Sequence, residues 1–334
     1  MQRLLPLLLL FILSTTLAFG QKTIIGKVLN QTTQEPIPYA NIGVINSNVG
    51  TLSNFDGSFS IIIPEKLKKD SLTFSSLGFF RKSMALNLLE SKKNYAVFLN
   101  EKATILTPVI VTAKVKEKTV ELGNKNYYGG NYEPDTTYAG RSVALLIDLK
   151  DVPKQSSFPI YIKKASLNIF RNNFDVFKFR VRINKYDSLT GKPGEDLLEK
   201  SIVVESTTRI GWISFDLSPL YFRVTEPFFI TFEQLLDVND RTKIALGFRR
   251  IINDHPEWLQ TDTVMFEGKK QFTQKLIKGG IDLPGTFIGT SDSKASLEKY
   301  SCFVRETSLS EWKKVPRIVA ATVTLSGLIN AGNK

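Results

Sequence analysis

A single histidine, His255, and a single cysteine, Cys302, occur among 334 residues, with only three methionines. One histidine cannot supply the paired imidazoles of a hydrolytic zinc centre. One thiol cannot close an internal disulfide, hold an iron–sulfur cluster or complete a cysteine zinc site. A serine–histidine–acid triad would have to run through His255, and the chain has no Gly-x-Ser-x-Gly elbow to go with it. Long apolar runs are scarce too: after residue 19, no stretch reads as a membrane-spanning helix. Like charges form no blocks. Lys and Arg total 44 against 32 Asp and Glu, and the resulting +12 is spread along the chain. Such a diffuse positive field suits anionic envelope polymers or lipid headgroups, and no nucleic-acid reader motif accompanies it.

The one long apolar run, residues 4–19, follows Arg3 and closes on Ala18-Phe19-Gly20. A basic start, a short apolar stretch and a small-x-small end form the pattern of a cleaved export signal. Residues 1–20 are therefore expected to be a signal peptide, with Gln21 opening the mature chain. No cysteine follows the cut to carry a lipid anchor. The mature protein is expected in the periplasm, or associated with the outer membrane or cell surface, with no transmembrane segment. In such a compartment disulfides are chemically available. Cys302, within the strand-like Tyr300-Ser301-Cys302-Phe303-Val304, reads as a buried small apolar residue.

Hydrophobic residues otherwise recur with a period of two, the signature of half-buried strands. Ala40, Ile42 and Val44 alternate with Asn41 and Gly43; Phe59, Ile61 and Ile63 alternate with Ser58 and Ser60. Residues 23–29, 72–75, 95–99 and 108–113 add strands, and 82–91 reads as a short helical turn or loop. Asn54-Phe55-Asp56-Gly57 and the charged residues 64–70 supply turns. After Ala113 the composition shifts, and residues 114–138 read as a charged, Gly-, Asn- and Tyr-rich connector. Long strands return beyond it. Phe177, Phe179, Val181 and Ile183 point one way, and Lys178, Arg180 and Arg182 the other. Ile213, Phe215 and Leu217 oppose Trp212, Ser214 and Asp216. Further strands are expected at 141–148, 165–170, 202–205, 228–232, 244–248, 263–266 and 317–325, with a long loop over 267–296. An all-β protein follows: one sandwich over 21–113, a jelly-roll-like sandwich over 139–326, and a tail at 327–334.

The first sandwich carries an ordered set of motifs. Gly26-Lys27-Val28, Glu35-Pro36-Ile37-Pro38-Tyr39-Ala40-Asn41-Ile42, Gly50-Thr51 and Asn54-Phe55-Asp56-Gly57-Ser58-Phe59 come first. Asp70 to Phe79 and Val109-Ile110-Val111-Thr112-Ala113 follow. Together they resemble the carboxypeptidase-regulatory-like domain of the Bacteroidetes envelope type, over residues 22–113. Phe79 departs from the family, which often has Tyr after the glycine. The resemblance implies a seven-strand, transthyretin-like sandwich and does not imply peptidase activity. The motifs have structural reasons: Asp56-Gly57 for a tight turn, Gly50 for a bend, and Pro36 and Pro38 for an extended edge.

Candidate sites are few. Asp254-His255-Pro256-Glu257-Trp258 puts an imidazole beside carboxylates, but adjacent loop residues rarely converge on one atom. Asp237-Val238-Asn239-Asp240 clusters oxygen ligands without the fuller calcium-loop pattern, so it reads as a turn, and no cofactor is expected beyond an optional structural calcium. Trp212, with Ser214 and Asp216 on the same side of a strand, would stack on a sugar ring if that face is open. Lys178, Arg180 and Arg182 form a basic stripe able to meet an anionic polymer. These six residues are the candidate ligand-binding set; no residue is assigned as catalytic or metal-binding. The reading is a non-catalytic envelope protein in which an adaptor sandwich joins a jelly roll that binds glycan or another envelope ligand. The alternatives are an assembly protein docking a second envelope protein, and a carboxylate-based hydrolase.

Overall fold

The computed structural model describes residues 21–91, 93–102, 117–131, 140–152, 157–266, 269–276 and 283–328. The expected leader and the strand expected at 108–113 lie outside them. Strands dominate, and two α-helices are present among the described residues.

In the first domain, Lys22–Asn30 is the middle strand of a three-stranded sheet, antiparallel to Ser58–Ile63 and parallel to Asn94–Leu99. Gly26 lies between Phe59 and Tyr95 in that register. A Cβ on it would stand 2.2 Å from the Tyr95 carbonyl oxygen, so only glycine lets the strands close. A second, four-stranded antiparallel sheet runs in the order Gly50–Leu52, Asn41–Gly43, Ser71–Ser75, Lys82–Ala85. The segment read as a helical turn or loop thus begins as an edge strand and then makes a 3-10 turn at Leu86–Leu88. Seven strands enclose a core that includes Ile24, Val28, Ile42, Phe59, Leu72, Phe74 and Val97. The Phe59 and Phe74 rings meet edge-on at 5.4 Å. The Asp56-Gly57 turn forms with Gly57 at φ +75°, and Asp56 Oδ1 accepts from the Ser58 amide at 3.0 Å.

The outer side of the four-stranded sheet is also covered. Asn41, Gly43, Leu52 and Thr73 are all buried, with Gly43 against Leu309 and Leu52 against Leu235 of the second domain. Gly50 serves close approach rather than the expected loop bend: it lies in a strand, and a Cβ there would meet Thr307 Cβ at 2.9 Å. The Asn46 amide donates to the Leu309 carbonyl at 3.0 Å, and Ser310 Oγ donates to the Ser47 carbonyl at 2.8 Å. Leu52, Tyr39 and Leu235 form a small apolar cluster across the junction.

The second domain is a larger β-sandwich. Its junction-side sheet runs Pro193–Asp196, Phe177–Tyr186, Phe228–Leu235, Ser142–Ile147, Cys302–Arg305, Lys313–Lys314, with Ile202–Ser206 also on Phe177–Tyr186. The other sheet runs Ile318–Val319, Thr286–Ser291, Ser157–Asn172, Ala321–Leu328, Glu117–Asn124. Gly211–Asp216 and Arg223–Val224 pair with the other side of the long strand Ser157–Asn172. One core joins the two sheets, with Leu145, Val181, Ile183, Ile230 and Phe232 from the first and Ile162, Leu167, Ile169, Phe215 and Val323 from the second. Cys302 belongs to this core, and burial pushes its thiol up to about 12, leaving it protonated at neutral pH.

Three local expectations change. Glu117–Asn124, placed in the connector, is a strand that pairs with Ala321–Leu328 over its whole length. The strand expected at 244–248 lies instead within a helix, Val238–Asp254, whose buried residues Ile244, Gly247 and Ile251 follow helical spacing. Gly247 lets that helix sit against Pro284, whose Cδ would be 2.3 Å from a Cβ. The long loop expected over 267–296 holds two strands, Lys269–Leu276 and Thr286–Ser291, and a short helix begins at Lys294.

The crowding at Gly26 makes a direct prediction. Gly26→Ala should destabilise the chain by about 1–3 kcal/mol through overpacking against backbone. Urea unfolding would show this as a lower midpoint with an unchanged slope.

Candidate functional site

The strand Phe177–Tyr186 alternates as its sequence implies, but its basic side is not an open stripe. Arg180 is 0% and Arg182 5% exposed, because the first domain lies over this face. Only Lys178 keeps partial access; its ammonium lies 3.6 Å from Glu205 and over the Tyr39 ring. Burial of two guanidiniums requires anionic partners, and register supplies them: Arg180 is paired with Glu233 across the sheet. Glu233 Oε2 lies 2.6 Å from Arg182 Nε and 3.3 Å from Arg180 Nε. Ser308 Oγ donates to its other oxygen. Arg182 Nη1 reaches Asp196 at 2.7 Å, and Arg180 Nη2 donates to the Tyr39 carbonyl, also at 2.7 Å. That last bond ties the core of one domain to the backbone of the other, at a tyrosine held in the left-handed region (φ 54°).

Electrostatically the cluster is unbalanced. Burial works to raise the Glu233 pKa, but Arg180, Arg182 and Arg305 outweigh it and hold the carboxyl at about 2. Burial, with the neighbouring guanidiniums, lowers Arg305 to about 10. Arg305 stacks over Trp312 at 4.4 Å, and its Nε donates to Ser142 Oγ. Beside this cluster a cavity of about 550 Å³ opens between the two domains.

The Trp212 face lies on the opposite sheet. Ile213, Phe215 and Leu217 are buried while Trp212, Ser214 and Asp216 are exposed, as the alternation implies. Trp212 is 40% exposed and stands in register with Asn168 on the neighbouring strand. Asn168 is fully buried, and neither atom of its amide has a hydrogen-bond partner. Gly289 makes room for it: both the Asn168 amide and the Tyr127 ring would crowd a Cβ there. Ser214 Oγ lies 3.0 Å from Ser166 Oγ. Asp216 accepts from the Ser218 hydroxyl and amide, which lower its pKa. The arrangement is an exposed indole and phenol flanking a buried amide that lacks partners.

The remaining candidates have structural employment. Asp237 caps the helix Val238–Asp254 by accepting from the Asp240 amide at 2.9 Å, and Asp240 returns a bond to the Asp237 amide. The oxygen cluster is a capping box rather than a simple turn. His255 ends the same helix and stacks on Trp258 with ring centres 3.8 Å apart, near Glu257. Among the described residues, no group of three or more His, Cys, Asp or Glu side chains is placed to hold a metal. No described helix is long and apolar enough to cross a membrane.

Sequence reasoning did not single out Glu233, Asp196, Arg305, Asn168 or Tyr127. Glu233 had a readable signal: it is the one charge in the apolar strand Phe228–Leu235. Its meaning needed the strand pairing, which places it against Arg180.

Two stacked β-sandwiches, the first with seven strands among the described residues, define the class of protein. Residues 24–111 match the family model of the CarboxypepD_reg-like domain, so the first sandwich is similar to that domain. No curated protein matches the chain. Among solved structures, one described as "Structure of infectious bursal disease virus Gt strain" aligns over 93% of this chain and 64% of its own, at 8% identity. The TM-score of that alignment is 0.23.

The buried cluster predicts an acid-sensitive junction. Glu233 is held below its ordinary pKa, so its contribution to stability is complete above about pH 4.5 and is lost as pH falls through about 2. Glu233→Gln should cost about 3–5 kcal/mol at neutral pH by leaving buried guanidiniums uncompensated. It should also flatten the loss of stability below pH 4.5, as measured by denaturant unfolding across pH.

Proposed function

We propose that this chain is a non-catalytic, exported cell-envelope protein that binds glycan on the outer face of its second sandwich. The observation that carries the reading is Trp212: an indole on an exposed strand face, in register with the unpartnered amide of Asn168 and near Tyr127. Sugars are recognised by this combination, an aromatic plane for the C–H face of the ring and fixed amides for its hydroxyls. The regulatory-like domain serves as the adaptor, fused to the binding sandwich through the arginine–glutamate cluster. Export rests on the leader pattern of residues 1–20, and the jelly-roll assignment on the strand pattern of the second domain.

A second reading is docking of another envelope protein along the edge strand Gly211–Asp216, which pairs on one side with Ser157–Asn172 and has no further pairing among the described residues.

A neutral-oligosaccharide array on the chain from residue 21 tests both. Glycan binding should be saturable, resistant to salt, and weakened at least about tenfold by Trp212→Ala. Absence of any hit from the folded protein refutes the glycan reading. A co-purifying envelope protein released by edge-strand variants would favour the second.

A further inference from the structure

The cavity between the domains lies on the opposite sheet from Trp212 and belongs to a different chemistry. Its volume of about 550 Å³ is in the range of small-molecule sites. One wall is the Ser75–Phe79 turn of the first domain, and the other is the basic side of the second domain's sheet. The rim is balanced, with Arg81 and Lys102 facing Glu195 and Glu199, all exposed. The floor is not. Arg182 and the half-buried Arg305 line it beside one carboxylate, Asp196, and the buried Arg180–Glu233 pair adjoins them without lining the cavity. Asp196 is already committed to Arg182 and to the Leu198 amide.

Two buried atoms of cavity-lining residues have no partner. Arg182 Nη2 is a charged donor without an acceptor; its side chain is 6% exposed. Asn41 Oδ1, from the first domain, is an acceptor without a donor. A buried guanidinium left partly unpaired beside an excess of positive charge is costly, and the missing component is an anion. A planar carboxylate matches the geometry of a guanidinium, and a hydroxyl on the same molecule would donate to Asn41.

We propose that the interdomain cavity is a binding site for a small hydroxylated carboxylate of the sugar-acid class. Its carboxylate would meet Arg182 and Arg305, and its hydroxyls Asn41. Because both domains contribute walls, the ligand also strengthens the junction. The proposal does not depend on glycan binding at Trp212.

Calorimetry and thermal unfolding of the chain from residue 21, with glucuronate as probe, provide the test. One saturable site at millimolar or tighter affinity and a raised Tm are expected, with glucose at the same concentration giving neither. Arg305→Gln should weaken glucuronate binding at least about tenfold. Because that variant loses a buried charge, Ser76→Trp provides a second arm: it fills the cavity from the turn and should abolish binding while far-UV circular dichroism stays unchanged. Trp212→Ala should leave glucuronate binding intact, which separates this site from the proposed glycan face. Three results would each overturn the proposal: no saturable glucuronate binding by folded wild type up to about 10 mM, equal binding of glucose, or full binding by folded Ser76→Trp.

Discussion

Glu233 is a carboxylate with no access to water, held between guanidiniums, and the relation of the two sandwiches depends on it. Burying Arg180 and Arg182 is possible only because Glu233 and Asp196 neutralise most of their charge. Only with Arg180 buried can its Nη2 reach the Tyr39 carbonyl in the other domain. The same contact holds Tyr39 in a left-handed backbone conformation that a tyrosine rarely adopts, and places its ring against Leu52 and Leu235. One electrostatic centre therefore ties the two domains together beside the cavity.

The two surfaces of interest use opposite physical strategies. The Trp212 face is exposed and mixed, an indole beside Ser214 and Asp216, with a further polar demand hidden beneath at Asn168. The interdomain cavity is polar and recessed, with its demand concentrated in Arg182 and Asn41. They lie on different sheets of the second sandwich, so occupying one need not obstruct the other. The lone histidine and the lone cysteine take no part in either. His255 finishes a helix and Cys302 fills the core.

Much of the fold was legible because strand alternation reports burial directly. Phe59, Ile61, Ile213, Phe215 and the Phe177–Ile183 set all face inward as their spacing indicates. The family motifs in the first domain were legible as an ordered set, but only Gly57 answers to local backbone geometry; Gly26 answers to Tyr95 on a strand far along the chain. Alternation says which side a residue faces, but not what covers that side. Lys178, Arg180 and Arg182 were placed on the correct face, and the covering domain turned an apparent surface stripe into a buried cluster. The helix Val238–Asp254 was hidden for a different reason: one of its three buried positions is Gly247, which adds nothing to an apolar pattern. Asn168 and Tyr127 meet only through Gly289, a contact across more than a hundred residues that no local window contains.

The strand Ala321–Leu328 sits between Ser157–Asn172 and Glu117–Asn124, inserted in the sheet rather than at its margin. A chain threaded outward from its N-terminus would deliver every strand pairing of the first sandwich's described strands by residue 99. The second sandwich would wait, with two strand edges facing a gap, until its last strand emerged some two hundred residues later. During that interval the finished first domain would be the only folded surface on the chain. The face destined for Arg180 and the Thr307–Ser310 loop would stay wet until the junction-side sheet formed, and that sheet needs no strand beyond Lys313–Lys314.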